Sequence, residues 1–558
     1  MSARVSRGDG IIVPGSGTGA YFLPEMDVRR LWVGRGNLSR WFLPVLALGV
    51  IAVFPAADAQ GHAHDASKVR FAEHSPAAFD AARREGKPVF LLVSAVWCYW
   101  CKYFEQQVLA DAEVSKYLNQ HYLSVFADYD RRPDLVRKYV RGLPMIVLFG
   151  PDGRVRQSFA GVLKREDFLG VVRSVATLPP LATDARPFAP PAPAPVTPET
   201  YQRLREGMVR FIDEHLDPVH GGFGTGDKHP QPRLLAYLLE LHQTTGDQRY
   251  LIAVEKSLGG ILGALYDRVD GGFFRYAEGR EWRQPHYEKL LHLNAALAAV
   301  LGEAHRVTRN PRYREAADAT IAYLLRNLHD ATLGGFYSSQ SADPAYYRLP
   351  LQERRAARRP PVNRDKIAAW NAEAAIALLG LGQSSGRKDL RDVALGTLEF
   401  IRGRLVGERG VFHIYEHPTG RRHGEGQLDA NAWAALAFLE GYRVARVEAY
   451  RQAAERVLGF AMAELFDTGR GAFGEDRASP VPLDANGVMV EALLRADRLG
   501  GRADNEDVAR RVLATFYGAA HALLVENEDA TVRVTDAVYY LRAYAQVVGK
   551  PQRDEQRR

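Results

Sequence analysis

Only two of the 558 residues are cysteines. That scarcity excludes a disulfide-stapled scaffold, and it leaves no second cysteine pair for a four-thiolate zinc knuckle. An excess of one charge is also missing. The formal net charge of +7 is small for the length, and the basic residues are scattered rather than gathered into a stripe, so a nucleic-acid partner is not indicated. Membrane-spanning length is lacking in the most apolar N-terminal stretch. Residues 41–54 run 14 positions, fewer than the roughly 18 that a spanning helix needs. What remains, 46% hydrophobic and 25% charged residues, is the composition of an ordinary soluble globular protein. The length predicts two domains, one of them large.

The two cysteines stand together as Cys98-Tyr99-Trp100-Cys101, preceded by Trp97. An apolar run over 87–94 reads as a buried strand, and Phe104, Val108, Leu109 and Val114 continue from the motif at helical spacing to Leu118. Strand, Cys-x-x-Cys and helix in that order form a thioredoxin-like redox context. A cysteine at a helix N-terminus faces unpaired N–H groups and the positive end of the dipole, so Cys98 is expected as the attacking thiolate and Cys101 as the resolving thiol. Half of a zinc site is the first alternative, with His121 the nearest downstream histidine. A structural disulfide is the second, although so short a loop restricts the unfolded chain very little. No metal and no cofactor are expected. Tyr99 and Trp100 offer an apolar docking surface or simply pack.

About 45 residues on, Pro144 enters an apolar run that ends in Gly150-Pro151-Asp152-Gly153. Thioredoxin-fold proteins resemble this: a cis-proline opens a strand set against the cysteine pair. Helix and strand signals over residues 66–178 follow the βαβ-ββα order of that fold. One departure is Leu92. It occupies the strand position, six residues before the first cysteine, where thioredoxins carry a buried acid, so no local carboxylate takes the proton of Cys101.

The N-terminal segment 1–59 reads as an export signal. Arg29, Arg30, Arg35 and Arg40 precede the apolar stretch, and Ala57-Asp58-Ala59 forms a small-x-small cleavage site. Met26 is an alternative start, and Pro44 opposes the alternative of an uncleaved anchor. The expected location is the bacterial periplasm, with no membrane span after cleavage. Residues 179–198 hold eight prolines and form a semi-extended linker, and 550–558 form a basic tail.

Residues 199–549 carry a repeat. Asp217 to Phe223, Asp267 to Phe273, Asp330 to Phe336 and Asp467 to Phe473 share an acid, a glycine-rich turn and a phenylalanine, and Glu408 to Phe412 is a degenerate copy. Amphipathic segments over 199–215, 231–245, 249–267, 288–307, 311–329, 364–382, 387–406, 428–444, 447–466, 484–499, 504–518 and 533–548 give twelve helices, with each Gly-Phe loop after an odd-numbered one. Six decorated hairpins describe an all-α (α/α)6 toroid; an open solenoid of helix pairs is the alternative. The expected fold class is multidomain, a thioredoxin-like α/β domain followed by this toroid.

The inner-helix starts, which a toroid brings to one mouth, carry His229, Trp282, His286, Glu288, Asp365, Trp370, Asn371 and Asp429. Asp429, Asp484 and Asp536 fit N-caps. The bulk and charge of His286, Glu288, Asp365, Trp370 and Asn371 suggest a pocket suited to a carbohydrate ligand.

The chain resembles the family of thioredoxin-domain proteins fused to a six-hairpin toroid, which includes the spermatogenesis-associated thioredoxin-like proteins and bacterial relatives. The shared motifs are Gly221-Gly-Phe-Gly with Lys228-His229-Pro230, Gly271-Gly-Phe-Phe-Arg275-Tyr276, Pro285-His286-Tyr-Glu288-Lys289, Asp365-Lys366 with Trp370-Asn371, and Pro482 to Asn486. The resemblance implies the toroid architecture of sugar 2-epimerases and six-hairpin glycosidases rather than a reaction. This chain departs from it in having a full cysteine pair where relatives keep one cysteine followed by His, in a short segment from Ser338 to Arg358, and in Leu428-Asp429-Ala430 in place of Glu-Asp. The functions expected are thiol–disulfide exchange with a protein client, sugar chemistry using His286 with Glu288 or Asp365, or a non-catalytic binding ring.

Overall fold

The computed structural model describes residues 67–181, 193–476, 481–500, 504–525 and 533–549. The expected export segment, the middle of the linker (182–192) and the basic tail lie outside the described residues.

The first unit is a five-stranded sheet in the order β1-β3-β2-β4-β5. Its strands are β1 Phe71–Glu73, β2 Val89–Ser94, β3 Leu123–Asp128, β4 Met145–Phe149 and β5 Val155–Ala160. β1 and β2 run parallel to β3, whereas β4 is antiparallel to both β2 and β5. Every residue of β2 and β4 is buried, because helices cover both faces of the sheet; hence their uninterrupted apolar sequence. The helices are α1 Pro76–Glu85, α2 Tyr99–Phe104, α3 Ala112–His121, α4 Pro133–Tyr139 and α5 Arg165–Ser174. Ser75 caps α1, its hydroxyl accepting the Ala78 N–H at 3.2 Å.

The single helix expected from Lys102 to Leu118 is divided. A wide turn at Glu105–Leu109 follows α2, and the Asp111 carboxylate then caps α3 by accepting the N–H groups of Glu113 and Val114. Phe104, Val108, Leu109 and Val114 are all buried nonetheless, so the apolar spacing held while helix continuity did not. The short edge strand β1 was not foreseen; three residues are too few to show a period of two.

The second unit contains the twelve expected helices: α6 Pro198–His215, α7 Pro232–Thr245, α8 Gln248–Ala264, α9 Leu291–Thr308, α10 Pro311–Tyr323, α11 Ala368–Ser385, α12 Lys388–Phe400, α13 Leu428–Ala445, α14 Glu448–Phe460, α15 Leu483–Arg498, α16 Asn505–Val525 and α17 Val538–Val548. The inner helices pack in sequence, α7 on α9, α9 on α11, α11 on α13, α13 on α15 and α15 on α17. Helix α17 returns to α7 and closes the ring, which an open solenoid cannot do. Such a closed ring is a toroid. An inner helix has neighbours on several sides, so α11 buries residues around most of its circumference, whereas α12 has one apolar face. Helices α9 and α11 begin later than expected because Lys289–Leu290 and Lys366–Ile367 are extended pairs in small sheets at the mouth.

The repeated loops are held by two devices. In the first three loops a fully buried lysine from the start of the next element reaches the acid: Lys228 Nζ to Asp217 at 3.1 Å, Lys289 to Asp267 at 2.7 Å, and Lys366 to Asp330 at 2.8 Å. An inner-helix asparagine then accepts a loop N–H: Asn294 from Phe273, Asn371 from Phe336, Asn431 from Val411 and Asn486 from Phe473. In the degenerate copy Val411, not Phe412, therefore takes the phenylalanine position. Glycine is required within these loops. Gly221 has φ +72°, and a Cβ there would lie 2.1 Å from the Lys256 carbonyl oxygen.

Candidate active site between the two domains

The chain leaves β2 at Ser94, turns through Trp97, and enters α2 directly after Cys98. Cys98 is the N-cap, its Sγ accepting the Cys101 N–H at 3.2 Å. Both cysteines are unpaired thiols. The peptide bond from Leu143 to Pro144 is cis, and Pro144 leads into β4, where Met145 pairs with Val93 of the cysteine strand. The expected neighbourhood of cysteine pair and cis-proline is therefore present.

The toroid mouth covers it. Cys98 is 2% exposed and Cys101 1%, and both pack into one apolar cluster with toroid residues. The Trp97 indole donates to the Asp130 carboxylate at 3.0 Å, and the Arg275 guanidinium lies over its ring at 4.8 Å. Ser341 Oγ and Ala342 N each stand 3.5 Å from the carbonyl oxygens of Val96 and Trp97 respectively, at the outer limit for hydrogen bonds. Arg131 reaches Asp365 at 2.7 Å and Glu416 at 3.8 Å; His413 Nε2 donates to the Asp130 carbonyl at 2.9 Å. Arg137 completes the latch against Glu475 and Gln427.

Glu288 makes the decisive contact. Its Oε1 accepts the Tyr99 N–H at 3.0 Å across 189 residues of sequence. Its Oε2 is buried without a hydrogen-bond partner in the structure. A toroid carboxylate thus holds the helix N-terminus that was expected to stabilise a thiolate. Burial foremost, then the neighbouring Cys101 and the charge of Glu288, push the Cys98 thiol well above its ordinary value, with Arg275 opposing. The expected thiolate is corrected here: in the docked arrangement the Cys98 thiol is protonated at neutral pH. Burial also lowers the Lys102 ammonium.

Beside the thiols, His229, Tyr276 and His286 stack with ring centroids 4.7 and 3.9 Å apart, and His286 Nε2 lies 2.8 Å from Glu278 Oε1. Burial, followed by the charges of Arg275 and His286, lowers His229 to about 3. Deeper in the ring, Arg233 forks onto Glu373 at 2.9 and 2.8 Å and lies over Trp433 at 4.9 Å. His292, lowered to about 4 mainly by burial, packs 4.2 Å from Trp370. Burial and the nearby Asp484 raise Asp536 to about 7.

A family described as protein of unknown function, DUF255 (Thioredox_DsbH), matches residues 60–151. The chain is a thioredoxin-like domain, part of which this family model matches, followed by a helical toroid. It is 29% identical to spermatogenesis-associated protein 20 of Rattus norvegicus over 309 residues, 48% of this chain and 38% of that protein, and the Homo sapiens protein matches to the same extent. The match thus takes in well under two thirds of these relatives' length. Thiol:disulfide interchange protein DsbD of Colwellia psychrerythraea is 34% identical over 101 residues, 17% of each chain. Among solved structures, a sugar epimerase from a ruminal bacterium is 13% identical, covering 57% of this chain and 85% of its own with a TM-score of 0.49. A family 76 glycoside hydrolase from a bovine Bacteroides thetaiotaomicron strain is 12% identical, covering 73% and 84%, also at 0.49.

In this fusion the sequence-derived site residues separate. Trp97, Tyr99, Trp100, Pro144, His286 and Glu288 surround the thiols, with His229 two rings further along the stack, beyond Tyr276. Trp370 stands apart, against His292 within the toroid. Asn371 does not belong to a pocket: it is fully buried and bonds Phe336 N, Phe336 O and Ile367 O. Asp365 serves the latch, its second oxygen accepting the His417 N–H at 3.0 Å. Trp282 pins an outer loop through His220 O at 3.0 Å and lines an outer groove beside Lys256 and Gly260. Asp429 and Asp484 lie in the first turns of α13 and α15, whose N-caps are Gln427 and Pro482, and Asp536 sits in a 3₁₀ turn; none is the expected cap. Arg233, Arg275, His292 and Glu373 were missed. Arg233, His292 and Glu373 could have been flagged by their place near inner-helix starts, and Arg275 by its place in the Gly271-Gly-Phe-Phe-Arg275-Tyr276 motif.

Proposed function

We propose that this protein is an exported thiol–disulfide oxidoreductase in which Cys98 attacks and Cys101 resolves, with the toroid interior holding a glycan or a glycosylated partner. The observation that carries the reading is the unpaired dithiol at the start of α2, beside cis Leu143–Pro144 and roofed by toroid side chains. Leu92, fully buried, stands at the strand position where a thioredoxin carries its acid; Glu288 supplies a carboxylate from the other domain instead. The test is equilibration of the purified chain in dithiothreitol and glutathione buffers, with alkylation to count free thiols. A two-electron transition that Cys98→Ser abolishes supports the reading. A cysteine pair inert to both buffers overturns it.

The second reading is sugar chemistry within the toroid. It is favoured by Arg233–Glu373, Trp370 and Trp433 together with the raised Asp536, a set resembling a carbohydrate pocket with an available acid. Turnover on a sugar panel that survives Cys98→Ser and is lost in Asp536→Asn establishes it. A protein with neither activity is a binding scaffold.

A further inference from the structure

Arg275 is a cation near the thiol site with no direct ion-pair partner among the described residues. Its guanidinium lies over the rings of Trp97 and Tyr276, at 4.8 and 5.4 Å. Among the described residues no carboxylate comes within ion-pair distance of it, whereas the buried toroid acids Asp267, Asp330 and Glu373 are each matched to a lysine or arginine. Burial opposes the charge of this half-buried guanidinium and the more distant Glu288 supports it, but among the described residues no carboxylate bonds it directly, which leaves its N–H groups open to an anionic ligand. Its field reaches Cys98 and Glu288 on one side and His229 and His292 on the other, so the thiol site and the toroid interior are electrostatically continuous.

Size is limited by the same contacts. Ser341 and Ala342 of the toroid lie along the main chain of Val96 and Trp97, the approach to Cys98 that an extended protein segment would need.

We infer that the partner exchanged at Cys98 is a small carboxylate-bearing disulfide, or the corresponding thiol, whose carboxylate seats on Arg275. This rests on the redox reading above. In the step, the Cys98 thiol passes its proton to the unpartnered oxygen of Glu288 and the thiolate attacks one sulfur of the small disulfide. That S–S bond breaks, and the first thiolate leaves with the proton. Cys101 then loses its proton through Glu288 and attacks Cys98 Sγ, releasing the second thiol. Two electrons pass from the cysteine pair, which ends as a disulfide, to the small disulfide, which ends as two thiols.

The test uses the reduced full-length chain with three disulfides of similar size: 3,3′-dithiodipropionate, 2-hydroxyethyl disulfide and cystamine. The rate of thiol release is compared for each and for insulin. A charge-assisted contact predicts that dithiodipropionate reacts about 10- to 100-fold faster than the hydroxyethyl compound, with cystamine and insulin slower still. In Arg275→Gln that ratio falls towards one, and Arg275→Lys keeps part of it. Equal rates for the three small disulfides, a ratio unmoved by Arg275→Gln, or insulin as the fastest substrate overturns the inference alone. Absence of reaction with every disulfide overturns the redox reading and this inference with it.

Discussion

Replacing Arg131 with alanine should uncover Cys98 without unfolding either domain. The guanidinium reaches Asp365 through two nitrogens, at 2.7 and 3.3 Å, and lies 3.8 Å from Glu416. Asp365 is only 5% exposed at its side chain and Arg131 21%, so water screens the pair weakly. Removing the arginine leaves two buried carboxylates less compensated, although Asp365 keeps His417 N–H and Glu416 keeps Arg421 and His423. A partly buried pair with surviving partners should lose about 2–3 kcal/mol of docking energy, below the penalty for a fully stranded charge. That corresponds to a rise of about 30- to 150-fold in the population with the domains apart. The assay is the rate of Cys98 alkylation by iodoacetamide in a Cys101→Ser background, where modification reports the open fraction. Arg165→Ala, which removes surface contacts with Glu113 and Glu166, serves as the control and should change nothing. An Arg131→Ala rate equal to the control's, at unchanged melting temperature, would refute the claim that this latch governs access to the thiol.

Three further outcomes can be checked. Glu288→Gln removes a negative charge beside Cys98, so the thiol should ionise at lower pH than in the parent, seen as thiolate absorbance in a pH titration. Asn371→Ala strands the Phe336 N–H and carbonyl inside the protein and should lower stability by about 2–4 kcal/mol in denaturant unfolding, while leaving thiol reactivity intact. Asp536 is raised to about 7 in the folded protein, so the folded state holds its proton more tightly than the unfolded state does. Its contribution is present below about pH 4 and is lost as pH rises towards 7. Asp536→Asn should therefore melt higher than the parent at pH 8 and no higher at pH 4; a parallel offset at both values would contradict that account.

Much of the candidate site could be read from local order. A strand, Cys98-Tyr99-Trp100-Cys101 and a helix are contiguous, and helix geometry alone makes Cys98 the N-cap. Pro144 was legible for the same reason, since a proline opening an apolar run suits few places in a sheet. The toroid followed from repetition, because each Gly-Gly-Phe loop marks the return from an outer helix to an inner one. Glu105–Leu109 was not legible. The break there lies inside an apolar pattern that a continuous helix satisfies equally well. Asn371 misled because a buried amide on an inner helix looks the same whether it serves a ligand or a neighbouring loop; only its three backbone partners distinguish the two.

By itself, the amino-acid order determined the two architectures, the position of the thiols at a helix start and the inward helix faces, all set by interactions between residues a few positions apart or by a repeating period. The tertiary structure alone decided the state of those thiols. Ionisation depends on water and on every charge within a few ångströms, and here the toroid carboxylate acting on Cys98 belongs to Glu288, which bonds Tyr99 N–H across 189 positions of sequence. Folding brings Glu288 to the free N–H of α2, removes solvent from Cys98 and leaves Arg275 unpaired beside it. No local pattern in the chain encodes that meeting.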